Sequence, residues 1–170
     1  MTDLIAPGNR VFFLDGGMGT QLQAKGLQPG EVPELWNLSR PDDVRAVHEA
    51  YFAAGADVVY ANTFGANAAK YHGDAPLADV VAAAVGLARD AAAKAGGRRF
   101  VALDVGPTGR LLKPAGDFEF DAAYDAFAEQ VRVGAAAGAD LVVVETMGDA
   151  YELKAAVRSE EHTSELQSHA

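Results

Sequence analysis

The feature that most constrains this chain is a recurrence. A helix is closed by glycine, turns at once into a short apolar run, and ends on a polar residue. Ala54-Gly55-Ala56-Asp57-Val58-Val59 is echoed by Ala137-Gly138-Ala139-Asp140-Leu141-Val142. In both, glycine takes the left-handed backbone that stops a helix, and the chain passes directly into a strand. Four apolar runs, Val11–Leu14, Val58–Ala61, Phe100–Leu103 and Leu141–Val144, read as buried β-strands because none alternates with polar residues. Polar residues close them at positions 15, 62, 104 and 145, in steps of 47, 42 and 41. Such even β-then-α units predict parallel strands covered by helices.

Helical stripes fill the intervals. Val44, Val47, His48, Tyr51 and Phe52 recur at helical spacing in a helix from about Asp42 to Ala54, with Ser39 expected as its cap. Leu77, Val80, Val81, Ala84, Val85 and Ala88 make the next stripe, Phe120, Tyr124, Phe127 and Val131 a third, and a fourth helix begins near Asp149. Two architectures suit this order, an open doubly wound sheet or part of a (β/α)8 barrel. A polar residue at the C-terminal end of every strand favours the barrel, whose active site lies at that face. A complete barrel takes about 250 residues, whereas this chain has 170. The expectation is therefore α/β: the N-terminal half of a (β/α)8 TIM barrel, with four parallel strands and covering helices.

Charge and composition narrow the partners. A net charge of −10, with no basic patch, argues against nucleic acid or an anionic membrane. Met1 to Arg10 holds no long apolar core, and no run of about 18 apolar residues exists to span a bilayer, so a cytoplasmic location is expected. The chain has no cysteine, which removes disulfides, thiolate nucleophiles and thiolate metal ligands.

The candidate chemistry sits at the strand ends. Asp15-Gly16-Gly17-Met18-Gly19-Thr20 places an acid and three glycines after the first apolar run. Exposed backbone amides there suit an anionic group, and Asp15 suits a cationic one, so a zwitterion such as an amino acid satisfies both. A tight strand-to-helix turn with no ligand explains the glycines equally well. In parallel strands Asp15, Asn62, Asp104 and Glu145 converge on one rim. Glu145 follows four apolar residues, so its carboxylate is partly buried and needs a cationic partner. A salt bridge, a ligand ammonium and a metal ion all qualify. Trp36 and Asn37, on the first long loop, either close over a ligand or belong to a satellite packing cluster. His48 on its apolar stripe reads as a packed residue, and no G-x-S-x-G elbow supports Ser/His/acid catalysis.

Four stretches in order, Leu14 to Thr20, Asn62-Thr63-Phe64-Gly65-Ala66-Asn67, Gly106-Pro107-Thr108-Gly109 and Val144-Glu145-Thr146-Met147, resemble the homocysteine S-methyltransferase family. That family includes the homocysteine-binding module of cobalamin-dependent methionine synthase. The resemblance runs from about Val11 to Val157. It implies a (β/α)8 barrel that transfers a methyl group to the sulfur of homocysteine, giving methionine. By the same resemblance, Asp15 and Glu145 hold the substrate's ammonium, and amides around Gly16 and Gly17 meet its carboxylate. Asn62 and Asp104 shape the rim, with Asn37 beside them. The family also implies zinc held by three cysteines on later strands, which makes the substrate sulfur a thiolate. This chain lacks those ligands, so it is expected to be an inactive fragment alone, without a legible methyl donor.

From Arg158 to Ser168 the chain resembles the conceptual translation of a sequencing-library adapter, so residues 1–157 are expected to be the partial homocysteine-binding domain and 158–170 a non-native tail. Half a barrel leaves bare strand edges, which favour self-association. A different enzyme class also fits the rim acids: a Mg²⁺-dependent lyase or phosphate-binding barrel using Asp15, Asp104 and Glu145.

Overall fold

The computed structural model describes residues 11–160; the expected foreign tail lies outside the described residues from position 161 onward. Six helices and three strands follow one another as α1 (Met18–Ala24), α2 (Trp36–Ser39), α3 (Pro41–Ala53), β1 (Val58–Tyr60), α4 (Leu77–Ala95), β2 (Phe100–Val105), α5 (Phe120–Ala136), β3 (Leu141–Val144) and α6 (Ala150–Ser159). The strands form one parallel sheet in the order β1-β2-β3. Tyr60 pairs with Ala102, and Ala102 in turn with Leu141. Among the described residues no helix is long and apolar enough to cross a membrane.

The first apolar run departs from expectation. Val11–Leu14 makes a single parallel bridge, Leu14 to Val58, and is not a fourth buried strand. Val11, Phe13 and Leu14 are 70, 63 and 51% exposed. The run lies beside β1, and the Asp57 and Val58 amides both donate to the Phe13 carbonyl. Among the described residues no strand lies on its other side, and an apolar run is buried only when neighbours cover it. Ser39 also departs from its expected role. Its hydroxyl donates to the Leu35 carbonyl inside α2, while Arg40 occupies the N-cap of α3 without a side-chain cap.

The two faces of the sheet differ. Side chains alternate along a strand, and Val59, Val101, Leu103 and Val105 pack with residues of α3, α4, α5 and α6 in the main core. Val58, Phe100 and Ala102 form a separate cluster, joined by Phe12, Tyr60, Leu141 and Val143. That second cluster contains no helical residue among those described, so the helices cover one face only. Alanine-rich α4 presents Val80, Val81, Ala84, Val85, Leu87, Ala88 and Ala91 inward and stops at Gly96, whose φ is +68°. On α5, a Cβ at Gly134 would lie 2.6 Å from the Leu103 methyls, so a larger residue there would force Leu103 on β2 to shift.

Gly55 and Gly138 close α3 and α5 with φ of +107° and +96°, as their shared sequence predicts. The turn then delivers an aspartate that braces the neighbouring extended segment, the bridged run beside β1 in one case and β2 in the other. Phe13 N–H donates to Asp57 Oδ2 at 3.1 Å, and Val101 N–H donates to Asp140 Oδ2 at 2.8 Å. The repeat is thus a repeated hydrogen-bonding device as well as a pattern of letters.

Candidate functional site

The C-terminal ends of the strands carry the acids. Asp15 stands just after the Leu14 bridge, where its own N–H donates to the Val58 carbonyl at 3.0 Å. Its Oδ2 accepts from Tyr60 N–H at 3.0 Å, while Oδ1 is buried with no partner among the described residues. Burial raises its pKa to about 7 against the two backbone hydrogen bonds, with Glu145 adding to the rise. Asp104, on β2, is 8% exposed, and its Oδ1 is likewise buried and unpartnered. Burial, followed by the nearby Glu145, Asp15 and Glu34, raises its pKa to about 8.

Tyr60, at the end of β1, belongs to the same group. Burial and then Glu145, Asp104 and Asp15 push its hydroxyl above the usual value. Glu145 is half-buried beyond β3, tied by its N–H to the Val105 carbonyl at 3.1 Å. The next residue, Thr146, has a φ of +59°, a left-handed backbone that is strained for a β-branched side chain. Asp15, Tyr60, Asp104 and Glu145 therefore share one electrostatic neighbourhood, and among the described residues no lysine, arginine or histidine is named in the balance of Asp15 or Asp104.

The two asparagines hold this rim together from beneath. Asn37 is 2% exposed and Asn62 5%. Asn37 Nδ2 donates to the carbonyls of Asn62 and Val80, and Asn62 Nδ2 donates to the Pro33 carbonyl and to Asn37 Oδ1. Their amides lock the first long loop against the end of β1. Trp36 packs with Leu22, Leu27, Val44, Val47 and Leu87, with the Arg40 guanidinium 3.9 Å from its ring centre, so it is a satellite-cluster residue. Gly16 and Gly17 are exposed, and neither has positive φ. Glycine at 16 answers instead to Tyr51, whose hydroxyl would lie 3.0 Å from an added Cβ. Gly17 is the N-cap of α1 and offers no side-chain cap, which leaves first-turn amides for another acceptor.

Several residues of the site escape a sequence reading. Glu34 Oε1 accepts from Gly65 N–H at 2.6 Å. Thr63 Oγ1 donates to the Asp104 carbonyl at 2.8 Å, and Gln130, reaching from α5, donates to the carbonyls of both Thr63 and Asp104. Glu152 on α6 accepts from Thr108 through both backbone N–H and hydroxyl, at 2.8 and 2.5 Å. Tyr60 sits inside an apolar run and carries no mark of its position. For Glu152 a signal exists: it shares the i, i+3, i+4, i+7 stripe of Ala155, Ala156 and Ser159, all buried. His48 is fully buried, with both ring nitrogens unpartnered among the described residues, and burial lowers its pKa to about 4.

The family profile for homocysteine S-methyltransferase matches residues 12–168. The chain belongs to the homocysteine S-methyltransferase family. It is 38% identical to methionine synthase of Mycobacterium tuberculosis (strain ATCC 25618 / H37Rv) over 170 residues, covering 92% of this chain and 14% of that protein. Methionine synthase of Mycobacterium leprae (strain TN) is 37% identical, with the same coverage. Among solved structures, the homocysteine methyltransferase MmuM from Escherichia coli in its metallated form is similar, with a TM-score of 0.75 and 25% identity over 92% of this chain and 61% of that one. Its oxidized form gives a TM-score of 0.74. The chain thus spans about one-seventh of the curated relatives it matches.

A metal set of the kind the family resemblance implies does not fit this chain. It contains no cysteine, and among the described residues no three of His, Cys, Asp and Glu stand where they could jointly hold a metal ion. Asp15, Asp104 and Glu145 influence one another electrostatically without forming such a group, so the Mg²⁺ alternative gains no support.

Proposed function

We propose that this homocysteine S-methyltransferase family chain supplies the half of a (β/α)8 barrel that recognises the amino-acid end of homocysteine. In the whole enzyme, the sulfur of that substrate accepts a methyl group and leaves as methionine. The observation that carries the reading is a pair of carboxylates, Asp15 and Asp104, on one rim, each with a buried unpartnered oxygen. An unpaired buried carboxylate costs several kcal/mol unless a cation or proton answers it. A ligand ammonium offers that cation. The helices on one sheet face and the bare apolar cluster on the other suit a barrel wall better than a doubly wound sheet, which carries helices on both sides.

The geometry supports the division of labour that the family resemblance implies. Asp15 and Glu145 hold the ammonium, and the amides at Gly16 and Gly17, with the open first turn of α1, receive the carboxylate. Asn37 and Asn62 act by holding the loop rather than by touching ligand, since their amide hydrogens are already committed to carbonyl oxygens. The buried oxygens of Asp15 and Asp104 are shielded from competing water, which strengthens a charged contact made there. These residues bind and orient; the chain has no thiolate set to activate sulfur.

Titrating the isotope-labelled chain with L-homocysteine, followed by amide NMR, tests the reading. Saturable shifts are expected at Gly16, Gly17, Tyr60 and Glu145, and Asp15→Asn should weaken binding at least about tenfold, or 1.4 kcal/mol. Equal shifts with 4-mercaptobutanoate, which lacks the ammonium, would refute it.

A further inference from the structure

Asp104 differs from the other rim acids in how completely it is enclosed. On its strand it has the parity of Phe100 and Ala102, which belong to the apolar cluster of the bare sheet face. Its N–H donates to Thr63 Oγ1 at 3.1 Å, and its carbonyl accepts from Thr63 Oγ1 and Gln130 Nε2. The backbone is therefore pinned from two sides while the carboxyl Oδ1 is left with no partner among the described residues. The residue is 8% exposed, so little of its side chain meets water.

Each element around it contributes a group of the wrong sign. Asp15 approaches from the loop before α1, Glu145 from the end of β3, and Glu34 from the turn before α2. Tyr60 on β1 adds a phenol that gains nothing from a nearby anion once it is ionised. Among the described residues no cationic side chain is named in this balance. Three carboxylates and a buried unpartnered oxygen cannot all remain charged in one enclosure. Either a cation or a proton must be present.

We propose that Asp104 is a specificity-determining residue of the rim: its carboxyl is neutral in the ligand-free chain and ionises only against an incoming ammonium, so amine binding releases a proton. The proton leaves the Asp104 carboxyl for solvent, the ammonium replaces it as counter-charge, and no other bond changes. A neutral ligand leaves the proton in place and gains no charge contact, which is how the residue discriminates. This inference rests on the amino-acid-binding reading given above. The upward displacement of the Asp104 pKa to about 8 agrees with it.

Two measurements on the full chain test it separately. Carbon-13 carboxyl NMR of the ligand-free chain between pH 4 and 9 should show Asp104 titrating near neutrality; a midpoint near the ordinary 4 overturns the proposal whether or not homocysteine binds. Calorimetry with L-homocysteine at pH 7 should give an apparent heat that depends on the buffer's ionisation enthalpy, reporting proton release, and Asp104→Asn should cut that dependence to the share that Asp15 supplies. Affinity should rise with pH from 6 toward 8, by up to about tenfold per unit for one coupled proton. Binding with no buffer dependence overturns the coupling alone. A raised midpoint with no binding at any pH overturns both the coupling and the amino-acid reading.

Discussion

At the scale of single residues, the molecule holds two buried titratable groups of opposite tendency. Asp104 is raised to about 8, so the folded chain binds a proton that the unfolded chain, with its ordinary carboxyl near 3.8, releases. Between those values the fold loses stability as pH rises. Asp104→Asn, which keeps the shape and removes the charge, should stabilise the chain at pH 8 by on the order of a few kcal/mol and have little effect at pH 4; denaturant unfolding at both pH values checks this. His48 acts in the other direction. Its pKa falls from 6.5 to about 4, so the unfolded chain takes up the extra proton, and stability is lost as pH drops through that window. The loss should reach about 2 kcal/mol by pH 5, and His48→Leu should flatten that acid limb in thermal unfolding followed by circular dichroism. Neither shift is written in the letters. His48 does sit on a readable apolar stripe, but Asp104 looks like any polar residue closing a strand, and its state depends on acids 41 and 89 positions away.

At the scale of elements, helix stops and strand runs were legible because their causes are local. Gly55 and Gly138 need positive φ, and Val58–Tyr60 and Leu141–Val144 follow from unbroken apolar runs, while β2 continues past its apolar run Phe100–Leu103 through Asp104 to Val105. Ser39 misleads because the four-residue α2 captures its hydroxyl before α3 begins. Docking of α6 depends on one carboxylate. Glu152 is 3% exposed and accepts both Thr108 hydrogens, joining the helix to the loop after β2. Glu152→Ala should cost about 3 kcal/mol, since hydrogen bonds to a charged group are lost and a buried N–H is left unsatisfied. Hydrogen exchange should then quicken at Thr108 and along α6 while the amides of β1 remain protected.

At the scale of the whole molecule, large exposed apolar side chains gather at the two ends of the βα order. Val11, Phe13 and Leu14 lie at one end, and Tyr151, Leu153 and Val157 on α6 at the other. Open parallel edges beside such residues favour association. Sedimentation of the chain is expected to show concentration-dependent self-association, made stronger by salt because each copy carries a charge of −10. Phe13→Lys should shift the population toward monomer; an unchanged distribution would place the contact elsewhere. The sequence alone determined the βα rhythm, the glycine stops, the four family stretches and the acids at the strand ends, because each follows from neighbours within a few positions. Only the tertiary structure decided that Val11–Leu14 is a bridged, exposed run, that Asn37 and Asn62 bond the first long loop to the end of β1, and that Asp15 and Asp104 each bury an oxygen with no partner among the described residues. Burial and charge balance are sums over groups far apart in the chain, and folding is what brings those groups together.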